Sequence, residues 1–137
     1  MSQENDNLVS SLKENLEKLL TQYGVTYHEF SCVNFADVNC DIRLTLDKRD
    51  TSIFMYEGLG RLQRDVASES IEAIAKVLFR SLIRRAYEWY ESAVHDNQQR
   101  MGDSLTREHL RESAKQAQQY QRPIVQQLSK IWKQVQD

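Results

Sequence analysis

The stretch Ser70–Val94, SIEAIAKVLFRSLIRRAYEWYESAV, decides how the chain reads. It is the longest strongly periodic run and holds neither Gly nor Pro. One apolar stripe is Ile71, Ala75, Leu78, Leu82, Ala86, Trp89 and Ala93. A second is Phe79, Ile83, Tyr87, Tyr90 and Val94. Both step by three or four residues, as one side of an α-helix requires. Two adjoining stripes give an apolar arc wider than a surface helix needs. The helix therefore predicts cover on two sides, with the rest of the chain arranged around it.

Towards the N-terminus, Gly58 and Gly60 break the chain, and Arg61–Ala67 is a connector before Ser68 or Ser70 caps the central helix. Before that break lie three predicted strands. Thr51–Glu57 is apolar on both faces through Ile53, Phe54, Met55 and Tyr56, which predicts a central strand or one covered by the helices that follow. Val38–Leu46 alternates strictly. Val38, Cys40, Ile42, Leu44 and Leu46 point one way, and Asn39, Asp41, Arg43 and Thr45 the other, so one face is buried and one wet. Asp47–Asp50 is a hairpin loop. Thr26–Val33 is rich in β-branched and aromatic residues and reads as the first strand, followed by a turn at Asn34–Asp37. Asn5–Tyr23 is the first helix, with a stripe of Val9, Leu12, Leu16, Leu19 and Tyr23. Asn5 or Asp6 can cap its start and Gly24 its end.

Towards the C-terminus, Asp96–Ser104 is polar and predicts a turn, with Ser104 capping a final helix. In that helix Leu110, Ala114, Ala117, Gln121, Ile124, Leu128, Ile131 and Val135 form an unbroken heptad seam. Pro123 lies within it and predicts a kink. The element order is α-β-β-β-α-α. It describes an α+β domain over residues 1–97, a three-stranded antiparallel sheet packed by two helices, and a long C-terminal helical segment over 98–137.

Composition narrows the classes. The chain has 137 residues, of which 28% are charged and 40% hydrophobic, with a single Pro. That excludes wholesale disorder and allows a real core without staples. No apolar run approaches the length of a membrane span, and MSQENDNLVSS is not a secretion signal, so a soluble cytoplasmic protein is expected. Cys32 and Cys40 are expected to stay reduced as small core hydrophobes. The net charge of −2 gives no global pull towards nucleic acid, although residues 1–75 carry −6 and residues 76–137 carry +4.

The α-β-β-β-α order resembles that of double-stranded-RNA-binding domains over about residues 5–82. Glu57-Gly58-Leu59-Gly60 looks like their third-strand ending, and Ala73–Leu82 stands for their second helix. The resemblance implies shape-based RNA binding through a lysine cluster at the start of that helix. Here the corresponding place is Ser68-Glu69-Ser70, which is acidic, so the likeness is one of element order.

No arrangement of residues argues for catalysis, and no cofactor or metal is expected. His28, Cys32 and Cys40 lack the two close ligand pairs of a zinc site. Asp41 beside Arg43 reads as an ion pair on the wet strand face rather than an acid/base pair. Glu72, Lys76, Arg80, Arg84 and Glu88 lie four apart and pair along one ridge, leaving Arg85 off it. The first expectation is a non-catalytic protein-binding or assembly module. It would be a homo-oligomer, or bind a helical protein partner, through the coiled-coil-like face of Ile124, Leu128, Ile131, Trp132 and Val135. The alternative is a nucleic-acid-binding accessory protein whose Arg80, Arg84 and Arg85 contact phosphates.

Overall fold

The computed structural model describes residues 3–49 and 51–136. The order is α1 (Gln3–Gln22), β1 (Glu29–Phe35), β2 (Asn39–Thr45), β3 (Ile53–Gly58), α2 (Leu59–Ser68), α3 (Ile71–Gly102) and α4 (Glu108–Val135). The protein is α+β with one three-stranded antiparallel sheet, as its patterning predicts. Among the described residues no helix is long and apolar enough to cross a membrane. The chain divides into two compact units, Met1–Leu82 and Ile83–Asp137, and α3 passes from one into the other.

In the first unit α1 buries Val9, Leu12, Leu16, Leu19 and Leu20. Its end is a Schellman motif. Gly24 takes φ +66°, the Gly24 N–H donates to the Thr21 carbonyl at 3.1 Å, and the Val25 N–H donates to Leu20 at 2.9 Å. The sheet presents Cys32, Cys40, Ile42, Leu44, Ile53 and Met55 as its buried face. Residues of opposite parity, Val33, Asp41, Arg43, Phe54 and Tyr56, lie on the other face.

The first strand sits later than its composition suggests. It starts at Glu29 and runs through Phe35, which the sequence reading had placed in the turn. The turn is built by Ala36 and Asp37, both at φ +56°, and by Asn34. The Asn34 amide donates to Asp37 at 2.8 Å, and the Asp37 N–H donates back to Asn34 at 3.0 Å. That local chemistry fixes the strand end two residues beyond the expected one. It also leaves Val38 in the turn and 63% exposed, so the buried row of β2 begins at Cys40.

Two further expectations change. The strand order β1-β2-β3 makes β2 central and β3 an edge strand, so apolar residues on both faces of β3 do not mean burial on both. The connector after β3 is a helix, α2, which buries Leu59 and Leu62. Its Gln63 amide donates to Asn5 of α1. Ser70 caps α3 as predicted, its hydroxyl accepting from the Ala73 N–H at 3.1 Å.

In the second unit α3 continues through the predicted turn to Gly102, and only Asp103–Arg107 separates it from α4. The polar tail of α3 stays helical because it pairs with α4. The buried Asn97 amide donates to Gln121 at 2.8 Å, and the Gln118 amide donates to the Val94 carbonyl at 2.9 Å. Arg122 donates to Gln98 at 2.8 Å. The five-residue connection makes the two helices antiparallel neighbours, and these bonds hold them side by side. The Leu105 N–H is held by Asp103 at 2.9 Å, and Arg107, rather than Ser104, occupies the N-cap of α4. Pro123 lies inside α4 without interrupting it. The heptad seam is buried at Ala114, Gln121, Leu128, Ile131 and Val135, while Leu110 is exposed.

Candidate interaction surface

Four exposed large apolar side chains share the outer face of the sheet. Val33 is 48% exposed, Phe35 62%, Phe54 44% and Tyr56 52%. The strand registers bring them together. Val33 lies opposite Asp41, which lies opposite Tyr56, and Arg43 lies opposite Phe54. Single exposed hydrophobes are ordinary on a protein surface, whereas neighbouring ones on one face mark interaction sites.

The middle of this face is charged but internally neutral. Arg43 Nε lies 3.1 Å from both carboxylate oxygens of Asp41. The pairing holds the Arg43 guanidinium above its usual range, first through the hydrogen bond and then through the adjacent charge. Arg43 Nη2 also donates to the Tyr56 hydroxyl at 3.3 Å. Its guanidinium carbon stands 5.7 Å from the centre of the Phe54 ring, within cation–π reach. Phe54 and Tyr56 are tilted against each other with ring centres 5.5 Å apart. A buried carboxylate thus fixes an arginine, and the arginine braces two exposed rings. The result is a pre-ordered set of Arg, Tyr and Phe, the side chains enriched at protein interfaces.

The residues expected to form a partner interface on α4 sit differently. Leu128, Ile131 and Val135 are buried within the single chain. Ile124 and Trp132 are half-buried. On α3, Arg80, Arg84 and Arg85 are all exposed, and Arg84 Nε is taken by Glu88 at 3.0 Å. Trp89, which falls on a predicted apolar stripe, is 40% exposed with its ring edge against Tyr90.

In the second unit a groove of about 600 Å³ is lined by residues including Tyr87, Glu91, His95, Gln98 and Arg122. Its polar groups are engaged with one another. Glu91 holds the Tyr87 phenol above its ordinary pKa by accepting its proton in a hydrogen bond, with burial adding to the effect. Gln99 contacts His95 at 3.2 Å, and Arg122 donates to Gln98 and Gln118. That arrangement offers no aligned nucleophile and base. His28 and His109 are exposed, and among the described residues no three His, Cys, Asp or Glu side chains gather as a metal site would require. Cys32 and Cys40 do meet, with their sulfurs 3.4 Å apart.

No protein-family model, curated protein or solved structure matches this chain. The helix α2 lies between the third strand and α3, where the element order expected from the sequence has a connector.

Proposed function

We propose that this chain is a non-catalytic assembly module that self-associates through the outer face of its sheet. The observation that carries the reading is the exposed set Val33, Phe35, Phe54 and Tyr56 around the braced Asp41–Arg43 pair. Fully burying an exposed side chain of this size contributes about 1.5–3 kcal/mol, and the roughly half of each that is still open is what an interface can recover. Asp41 and Arg43 neutralise each other within one chain, so the aromatic rim can meet the same face of a second copy without leaving a charge unpaired. The α4 seam is a weaker choice. An association using Leu128, Ile131 and Val135 must first expose side chains already buried, leaving only the partly open Ile124 and Trp132.

Such a module acts in a reducing cytoplasm, where its two thiols persist. A nucleic-acid role for Arg80, Arg84 and Arg85 finds less support, since Arg84 is already paired along its own helix. The test is the mass in solution of the wild-type chain and of the double variant Phe35→Asp with Tyr56→Asp. Association of the wild type, lost in the variant with the fold kept, is the expected outcome. Equal masses for the two overturn the reading.

A further inference from the structure

Cys32 and Cys40 lie eight residues apart on two strands, and the sheet converts that separation into a contact. Cys32 stands opposite Ile42 and Cys40 opposite Asn34, so the two cysteines are diagonal neighbours on the core face. Their sulfurs are 3.4 Å apart. Cys32 is 3% exposed and Cys40 is not exposed at all, and the Cys32 sulfur lies 4.0 Å from the Val9 carbonyl of α1. Closing a disulfide bond asks the sulfurs to approach to about 2.0 Å, a move of the order of a side-chain rotation.

We propose that Cys32 and Cys40 are a peroxide-reactive dithiol that closes into an intramolecular disulfide across β1 and β2 while the sheet stays folded. Burial selects the oxidant. A peroxide is close to water in size and needs only a local opening beside α1, whereas a bulky disulfide such as oxidised glutathione needs the core to part. The chemistry balances without a further reagent. One thiolate attacks an oxygen of the peroxide, the O–O bond breaks, and hydroxide leaves, giving a sulfenic acid. The second thiol sulfur attacks that sulfur, the S–O bond breaks, and water leaves as the S–S bond forms. The proton lost from the first thiol neutralises the hydroxide. In total two thiols and one hydrogen peroxide give one disulfide and two waters. The shared hydrogen bond favours the first step, since a thiol that keeps its proton and donates a hydrogen bond to the other sulfur supports a thiolate there. The bridge ties the two strands of the hairpin around the Ala36–Asp37 turn and shrinks the unfolded ensemble.

The experiment treats the full wild-type chain with hydrogen peroxide, then alkylates it under denaturing conditions and digests it with trypsin. Both cysteines fall within the single fragment 19–43, which has no internal Lys or Arg. The expected result is a fragment lighter by two hydrogens, with no alkyl group on either sulfur and full reversal by dithiothreitol. The oxidised chain keeps its circular dichroism spectrum, and its melting midpoint rises by on the order of 5 °C. In Cys32→Ser the peroxide-dependent rise is absent. If Cys32→Ser does not fold, Cys40→Ala is read in the same way. Fragments that remain fully alkylated, sulfurs that gain oxygen instead of bridging, or a bridged chain with a lowered midpoint each overturn the proposal.

Discussion

At the level of single residues, the outer sheet face is set by which side of a pleat a side chain falls on. Asp41 is buried and pairs with Arg43, and Arg43 gives another of its donors to Tyr56. Phe54→Ala is therefore expected to change stability by only about 0.5 kcal/mol, as for other exposed positions, in a urea titration. Leu128 is fully buried, so Leu128→Ala is expected to cost about 2–5 kcal/mol in the same measurement. The turn gives a change of opposite sign. Ala36 holds φ +56°, a region that costs a non-glycine residue about 1–2 kcal/mol. Ala36→Gly is expected to raise the melting midpoint, and a fall would mean that the left-handed turn is not the resting conformation. Much of this was legible in the sequence. The alternation of Cys40, Ile42 and Leu44 named the buried row, and the stripe of Val9, Leu12, Leu16 and Leu19 named the inner side of α1. The exposure of Phe54 and Tyr56 was not legible, because hydropathy cannot say which of two apolar faces lacks cover.

At the level of elements, the errors trace to polar side chains that do structural work. Asp96–Ser104 looks like a turn by composition, yet Asn97 and Gln118 anchor that part of α3 to α4. A buried amide pair of this kind fixes the register of the hairpin. Asn97→Ala leaves the Gln121 carbonyl without its donor and is expected to destabilise the chain by about 1–3 kcal/mol. A double-mutant cycle with Gln121→Ala is expected to show coupling of about 0.5–3 kcal/mol. Strict additivity would mean that the pair carries no structural load. The first strand illustrates the same point. Its end is placed by the Asn34–Asp37 side-chain exchange rather than by β-propensity, which had set it two residues early. Pro123 predicts a kink in the last helix, and α4 runs as one helix across it.

At the level of the whole molecule, the α-β-β-β-α-α order follows from apolar periodicity, since helix and strand repeats differ enough to be told apart without long-range information, whereas the short α2 does not. The interaction surface depends on which strand is central, a product of strand pairing, and on where the first turn falls, a product of local side-chain bonding. The heptad seam drew attention to α4, but Leu128, Ile131 and Val135 are buried within the chain, and the exposed aromatic surface lies on the sheet. The most direct test is light scattering over a range of protein concentrations, comparing the wild type with Phe35→Asp combined with Tyr56→Asp. Self-association through the sheet face predicts a wild type heavier than one chain, and a variant of single-chain mass with an unchanged circular dichroism spectrum. A wild type that remains at single-chain mass, or a variant that associates as strongly as the wild type, contradicts it.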